Sequence, residues 1–256
     1  MICAADERFE AQITGRQKQA PNPYNTRILS LYTAYKQTKL CEFWVQVSET
    51  GVTAFLSGYS GNVTIDTCAG ADGEELCGFL HMLGFQSALF DGINSLCLKT
   101  ASINSGTAMR FAGNAGLNNK PAFSYDTPGF RELHNLLKSC EGAQFRPPDF
   151  EDFFLEMSHM TRHGCADIAA VPDGGALAAC ALSLYQCENA AVLGAVCCAP
   201  NKRRRGYGSR AVLTLIDKLQ SQGKENLFLL CAAKEAEAFY NRLGFKACGQ
   251  WRELIR

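Results

Sequence analysis

The segment from Asn189 to Leu219, NAAVLGAVCCAPNKRRRGYGSRAVLTLIDKL, constrains the fold more than any other part of the chain. Ala190 to Cys198 is an apolar run with the length of a buried strand, and the basic loop from Pro200 to Arg205 leads into Gly206-Tyr207-Gly208. Val212, Leu215, Ile216 and Leu219 then fall at i, i+3, i+4 and i+7, which is one face of a helix. A strand, a short glycine-containing loop and a helix start together aim backbone N–H groups at one point. The glycines permit close backbone approach, and the helix N-terminus adds partial positive charge. An anion is expected there, and a pyrophosphate fits best.

Two motifs sharpen this expectation. Arg203, Gly206 and Gly208 match the RxxGxG signature of the Gcn5-related N-acetyltransferases, and Ala236-Glu237-Ala238-Phe239-Tyr240-Asn241-Arg242-Leu243-Gly244-Phe245 resembles that family's second signature, AxxFYxxLGF. They occur in the family's order, and the resemblance covers roughly residues 122 to 256. It implies an α/β (α+β) fold with a mixed, mostly antiparallel central sheet flanked by helices. It also implies acetyl-coenzyme A as cosubstrate, with no metal, and a small-molecule or peptide amine as acceptor. In that reading the loop Arg203, Arg204, Arg205, Gly206, Tyr207, Gly208 and Ser209 holds the pyrophosphate. Backbone N–H groups of Arg205, Gly206, Gly208 and Ser209 donate, and the arginine side chains screen the charge. Main-chain groups of Val196 and Cys198 pair with the pantetheine amides. Tyr240 stands where the family places a tyrosine that protonates the departing thiolate as general acid; the plain reading is a core aromatic beside Phe239.

The base is harder to find. Some members of the family carry a glutamate on the strand before the loop, where this chain has Val192. Glu188, four residues earlier and on the same face of a regular strand, is the candidate base acting through a water, against a plain reading as a solvated turn residue. The family also often has an asparagine seven residues before the tyrosine, where this chain has Ala233. A coenzyme-binding sensor or scaffold without turnover therefore stays open. So does a dinucleotide-binding oxidoreductase, because Gly206-x-Gly208-x-x-Ala211 formally fits GxGxxA. Against that reading, several residues separate Gly206 from the strand end and Leu227 to Cys231 offers no carboxylate.

Other classes are bounded by composition. With Lys plus Arg at 25 and Asp plus Glu at 25 in 256 residues, overall charge points to neither a nucleic-acid nor a membrane partner. Lys202 to Arg205 is too short a basic run, without aromatic interleaving, for nucleic acid. Asp6, Glu7 and Arg8 argue against a signal peptide, and the apolar run Gly175 to Leu184 is shorter than the ~20 residues that cross a bilayer. A soluble, cytoplasmic protein is expected. The 13 cysteines are odd in number and contain no CxxC pair, so reduced thiols are expected rather than a disulfide framework. Cys77 with His81, and His163 with Cys165, each lack a second pair at metal-ligand spacing.

Along the chain, residues 1–24 read as an irregular lead-in, and 25–118 as a first domain. Asn25 to Lys36 fits a helix, and Cys41 to Val47, Val52 to Leu56 and Val63 to Ile65 fit an antiparallel meander. Asp72 with Glu75 fits a capping box, followed by a helix faced by Leu76, Phe79, Leu80 and Leu83. Phe79 to Phe85 shares the FxxxLGF frame of Phe239 to Phe245. Read as an internal duplication, this makes the first half a degenerate copy of the second, with Leu80 at the place of Tyr240; read plainly, Leu-Gly-Phe is a helix stop before a strand. A linker is placed at Gly113 to Pro121, and the second domain at 122–256. That domain opens with a strand Ala122 to Tyr125 and a helix capped by Thr127. A second helix is faced by Phe150, Phe153, Phe154 and Met157, and strands follow at Cys165 to Val171, Ala176 to Tyr185 and Asn189 to Cys198. After the glycine-loop helix come a strand at Leu227 to Cys231, a helix through Tyr240, and a final strand Phe245 to Ile255. In the family the helix pair walls the acceptor site. Here it carries Glu132, Asp149, Glu151, Asp152 and Glu156, acids that suit a cationic amine or a solvated face.

Overall fold

Residues 1–24, expected to be irregular, instead carry a short strand β1 (Ile2–Ala4) and a helix α1 (Phe9–Gln19). The buried positions of α1 are Phe9, Ile13 and Gln17. With a glutamine as the third inward residue, the apolar spacing is too sparse to show as a period. Helix α2 (Pro23–Tyr35) begins cleanly because Asn22 accepts from the amides of Tyr24 and Asn25, with Pro23 at the first helical position. The computed structural model describes residues 1–91, 102–113, 128–142 and 145–256.

The meander forms as expected: β2 (Cys41–Ser48), β3 (Gly51–Tyr59) and β4 (Asn62–Thr67) pair antiparallel in sequence order. Buried Asp66 on β4 ties both leading helices to the sheet. It accepts from Arg16 Nε at 3.0 Å, Asn22 Nδ2 at 2.7 Å and Asn25 Nδ2 at 3.4 Å. Burial pushes the Asp66 carboxyl above its ordinary value, against the pull of Arg16 and the two asparagines. Helix α3 (Gly73–Leu83) follows, then β5 (Ser87–Asp91), which pairs parallel to β4 through Asn62–Ser87 to Thr64–Leu89, and then β6 (Ser102–Phe111). Asp72 caps α3, accepting from the amides of Glu74 and Glu75. Glu75 does not close the expected box: it takes Gln46 Nε2 at 2.8 Å, and the Asp72 amide goes to Gln46 Oε1.

The second half contains α4 (Phe130–Ser139), α5 (Phe150–Arg162), β7 (Asp167–Asp173), β8 (Ala176–Gln186), β9 (Ala190–Cys198), α6 (Tyr207–Ser221), β10 (Asn226–Cys231), α7 (Lys234–Arg242) and β11 (Phe245–Ile255). The expected strand 122–125, the cap at Thr127 and the linker from 114 onward lie outside the described residues. Helix α4 starts at Phe130 with Gly129 in the cap position, two residues after Pro128. Strands β7, β8 and β9 pair antiparallel, and β9 pairs parallel with β10 from Ala190–Asn226 to Leu193–Leu229.

The chain divides into two units that are not contiguous in sequence. One is Met1–Arg110 with Leu230–Glu237 and Ala247–Arg256; the other is Phe111–Leu229 with Ala238–Lys246. In the first, the strand order is β1-β2-β3-β4-β5-β11-β6, and Trp251 to Ile255 of β11 run antiparallel to β5. Leu56, Ile65, Leu76, Leu80, Phe90 and Leu254, all fully buried, form its core. Gly106 on β6 lets the backbone come in close. A Cβ there would lie 2.1 Å from the Cys231 carbonyl oxygen and 2.7 Å from Trp251 Nε1, which itself donates to that oxygen at 3.1 Å.

Both units contain the same succession: two helices, an antiparallel three-stranded meander, a crossover helix and a parallel strand. By this order α3 occupies the place of α6, not of α7. The Phe79 to Phe85 frame therefore does not align with Phe239 to Phe245, and Leu80 is not the counterpart of Tyr240. The likeness has a local cause. Gly84 and Gly244 both adopt positive φ, 72° and 96°, and each stops a helix ahead of a strand that starts with a buried aromatic nearby, Phe85 or Phe245.

Candidate active site

Helix α6 is held firmly over its sheet before its N-terminus is considered. Val212, Leu215, Ile216 and Leu219 are buried, as their spacing predicts. Near its far end Lys218 reaches Asp167 at 2.6 Å and Gln222 reaches it at 3.0 Å, while Gln186 donates from β8 at 3.1 Å. Burial pushes the Asp167 carboxyl up, but the hydrogen bonds from Lys218, Gln222 and Gln186 outweigh it and leave the group below its ordinary value. This anchoring fixes where the helix start points.

The loop between β9 and α6 forms a short 3-10 turn at Pro200–Lys202 and then an extended Arg203. Arg204 and Gly206 follow at φ 62° and 82°. Lys202 pairs with Asp173 on β7 at 2.5 Å. Hydrogen bonds from Lys202 and Tyr207 hold the Asp173 carboxyl below its ordinary value, so both ends of the loop are tethered to one carboxylate. Arg203 Nε turns back to the Cys198 carbonyl at 3.3 Å, whereas Arg204 and Arg205 remain exposed. Gly206 occupies the N-cap of α6 with no side-chain cap among the described residues, and the first intrahelical donor is the Arg210 amide, to Gly206 O at 3.0 Å. The amides of Tyr207, Gly208 and Ser209 precede it and need acceptors from outside the helix. That of Gly208 meets the Cys198 sulfur, a weak acceptor.

The strand leading into this loop is opened at its middle. Leu182 pairs with Gly194 and Cys180 with Cys197, so Ala195 and Val196 together face Ala181 in a β-bulge, with Ala195 at φ 46°. Parallel pairing with β10 has already ended at Leu193. The Ala199 amide donates to Ala178 O. By antiparallel alternation Cys198 then turns its own N–H and C=O to the opposite edge, the side from which β10 has departed. This is the edge expected to bind a pantetheine-like chain, with one correction. The Cys198 carbonyl already accepts from Arg203 Nε and from Cys140 Sγ, each at 3.3 Å.

Tyr240 is half-buried. Its ring stands edge-on to Phe239 at 5.0 Å and to Phe245 at 5.9 Å, and Phe239 Cζ lies 3.9 Å from the position a Cβ of Gly208 would take. The second motif and the glycine loop are therefore neighbours. No residue of α7 is fully buried, so the expected inner face of Ala236, Phe239 and Tyr240 is only partly covered. Glu188 is not brought to this place. It is exposed in the turn before β9, with Lys224 Nζ against its carbonyl at 3.4 Å. Ten residues of strand put it roughly 30 Å from Cys198. A regular alternation places Glu188 on the correct face but at the wrong end of the strand.

A feature the sequence did not mark is a cavity of about 220 Å³ between α4, α5 and β8, reaching Ala195. Its helical walls are Leu137 of α4 and Phe153, Met157 and Met160 of α5, all buried. The connection between the helices is fixed by His134, whose Nε2 is 2.9 Å from the Pro148 carbonyl and so must carry the proton. The described cysteines are free thiols. Among the described residues no three His, Cys, Asp or Glu side chains assemble as metal ligands, and no helix is long and apolar enough to cross a membrane.

Residues 130–245 match the model of the Acetyltransferase (GNAT) family. Solved structures similar over the whole chain include an acetyltransferase from the GNAT family of Colwellia psychrerythraea, 14% identical, covering 100% of this chain and 99% of that one with a TM-score of 0.57. A tandem GNAT protein from the clavulanic acid biosynthesis pathway is 13% identical, with coverage of 100% and 98% and a TM-score of 0.61. A GCN5-related N-acetyltransferase from Sphaerobacter thermophilus is 12% identical, with coverage of 100% and 95% and a TM-score of 0.62. At these identities the likeness is one of fold. No curated protein sequence matches the chain.

Proposed function

We propose that this protein, whose residues 130–245 match the model of the Acetyltransferase (GNAT) family, moves an acetyl group from acetyl-coenzyme A to a primary amine by direct attack in a ternary complex. The observation that carries the reading is the contrast between two topologically equivalent helices. Asp72 places a carboxylate on the N-terminal amides of α3, and Glu74 and Glu75 add negative charge to its first turn. Helix α6 has no such cap and no acid in its first turn, and its approach is lined by Arg203, Arg204 and Arg205. One helix start supplies its own anion; the other is built to receive one.

In this reading the amides of Tyr207 and Ser209, with Arg205 and Gly206 beside them, hold the pyrophosphate, and that of Gly208 joins them by exchanging the weak Cys198 sulfur for a phosphate oxygen. The freed edge of β9 around Val196 and Cys198 receives the pantetheine arm, through the Cys198 amide rather than its committed carbonyl. Acetyl-coenzyme A supplies an activated acyl carbon. The acceptor ammonium first loses a proton to solvent. The amine nitrogen then bonds to the acyl carbon as the carbon–sulfur bond breaks, the nitrogen gives up its second proton to solvent, and the leaving thiolate takes the phenolic proton of Tyr240, which solvent replaces. We assign 122–256 to the catalytic domain and 25–118 to a degenerate copy; the repeated element order supports a copy, and by that order it begins earlier, at α1. The free thiols suit a reducing compartment such as the cytoplasm.

Calorimetric titration with coenzyme A tests the reading: saturable binding is expected, and no binding at millimolar ligand removes it. A coenzyme-binding protein without turnover is the second reading, favoured by the displacement of Glu188 from the loop. Intact binding with no acetyl transfer to any of a broad set of amines selects it.

A further inference from the structure

A carboxylate, Asp173, stands beside a loop that is otherwise built to receive an anion. Resting on the acyl-transfer reading above, we infer that Asp173 is a positioning residue for the coenzyme: it clamps both ends of the loop from Lys202 to Tyr207, so that the amides within the loop face one point before a ligand arrives.

Asp173 has a rigid footing. It ends β7, and Gly174 and Gly175, which turn the chain into β8, have φ 67° and 80°. Positive φ at both central residues is the type I′ form, whose twist suits a tight hairpin. Asp173 pairs with Ala176 across that turn and so closes the ladder. The same hairpin meets the glycine loop at a second point, where the Ala199 amide donates to the Ala178 carbonyl at 2.9 Å. From this footing the carboxylate accepts from Lys202 Nζ at 2.5 Å and from the Tyr207 hydroxyl, while the Arg210 guanidinium lies 5.7 Å over the Tyr207 ring. Four residues, Arg203 to Gly206, separate the two tethers, and Arg203 is itself tied to the Cys198 carbonyl.

Two of those four residues hold left-handed backbone, Arg204 at φ 62° and Gly206 at 82°. Arg204 carries a Cβ, so this curve is not one that a free segment favours. Tying both ends to one carboxylate removes much of the freedom of the span, and the cost of ordering it then falls on folding and not on binding. Charge alone argues the other way. The carboxylate draws Lys202 and feels the Arg205 guanidinium, so it subtracts from the positive field that a phosphate meets. With the Lys202 side chain 27% and the Asp173 side chain 31% exposed, the ion pair itself adds little stability. An acid that weakens the field of an anion site and scarcely stabilises the fold is explained by the geometry it imposes.

The experiment titrates coenzyme A into the full chain by calorimetry, at low and at high salt. Asp173→Asn keeps the shape and removes the charge. It should weaken coenzyme A about tenfold, because the ligand must then order the span; a purely electrostatic role predicts tighter binding. The weakening should persist at high salt, where a charge effect is screened. It should also appear in Kd with the stoichiometry unchanged, whereas simple loss of folded protein lowers the stoichiometry. Tyr207→Phe removes one tether without changing charge and should weaken coenzyme A about three- to tenfold, the loss of one hydrogen bond to a charged group. In a chain carrying both Lys202→Met and Tyr207→Phe the carboxylate has nothing left to clamp, so adding Asp173→Asn should weaken binding no further. The inference is overturned if Asp173→Asn leaves Kd unchanged or tightens it, if its effect vanishes at high salt, or if only the stoichiometry falls. It is also overturned if Tyr207→Phe leaves Kd unchanged, or if Asp173→Asn weakens binding equally when both tethers are already gone. In each of these cases the unsubstituted chain still binds coenzyme A and the proposed function stands. Absence of coenzyme A binding in the unsubstituted chain removes both.

Discussion

Replacing Gly206 by alanine probes the loop where backbone geometry is most restrictive. Gly206 sits at φ 82° and ψ −2°, a left-handed conformation that costs a residue with a Cβ about 1–2 kcal/mol. No heavy atom lies within 4 Å of the position a Cβ would take, so the cost is conformational and not steric. With no packing around that position, the substituted loop can relax between its tethers at Lys202 and Tyr207 when it holds no ligand. It must return to the left-handed form to present the amides of Tyr207 and Ser209, and the penalty therefore falls on binding. At 1.4 kcal/mol per tenfold, ~1–2 kcal/mol weakens coenzyme A about 5- to 30-fold. Gly208 provides the comparison. It lies inside α6, and an added methyl would only touch Phe239 at 3.9 Å. Alanine there gains up to ~1 kcal/mol of helix propensity and should raise the ligand-free Tm by about 2–4 °C. The assay pairs calorimetric titration of coenzyme A with thermal unfolding of each ligand-free variant. An unchanged Kd for Gly206→Ala refutes the phosphate-loop reading. A weakened Kd accompanied by a matching drop in ligand-free Tm refutes the claim that the strain is relaxed until the ligand arrives.

Tyr240→Phe keeps the ring packing on Phe239 and Phe245 and should lower kcat by about 10²- to 10⁴-fold, the range for a general acid, with coenzyme A affinity within twofold; unchanged turnover takes Tyr240 out of the mechanism. Gly106→Ala drives a methyl into the Cys231 carbonyl and Trp251 Nε1 and should cost at least about 2 kcal/mol through overpacking and a disturbed buried hydrogen bond; a Tm within 1 °C of the parent, against an expected loss of roughly 4–8 °C, shows the close approach to be wrong. Asp167 is held below its ordinary 3.8 by Lys218, Gln222 and Gln186 against its burial, so its contribution to stability is full above pH ~4 and disappears as pH falls through the lower folded value. Asp167→Asn should therefore unfold more easily than the parent at pH 7 and converge with it toward pH 2; a constant difference across that range contradicts the assignment.

The glycine loop and its helix were legible because each level of the sequence agreed there: an apolar strand run, φ-tolerant residues and a 3.6-residue period all pointed the same way. The meander at Cys41 to Thr67 was legible from alternation and turn residues for the same reason. Helix α1 was not, since its inward face ends on Gln17, 1% exposed, and a buried amide carries no apolar signal. The bulge was hidden because alanine at φ 46° looks like any small strand residue. Glu188 shows the limit for the site. Strand alternation ranks carboxylates by face, but which one meets a cavity depends on where two helices cross the sheet, and no spacing rule contains that. Nor does the alternation of Phe245 to Ile255 say which unit each end joins: Phe245 and Lys246 belong to one, Ala247 onward to the other.

The carboxylate that Asp72 lays on α3 has a thermodynamic corollary. That helix is electrostatically complete as synthesised, whereas the equivalent start of α6 reaches the same condition only with an exogenous anion in place. Mass action then acts selectively: added coenzyme should slow amide exchange along α6 and β9 in proportion to occupancy, and leave α3 and β4 at their intrinsic protection.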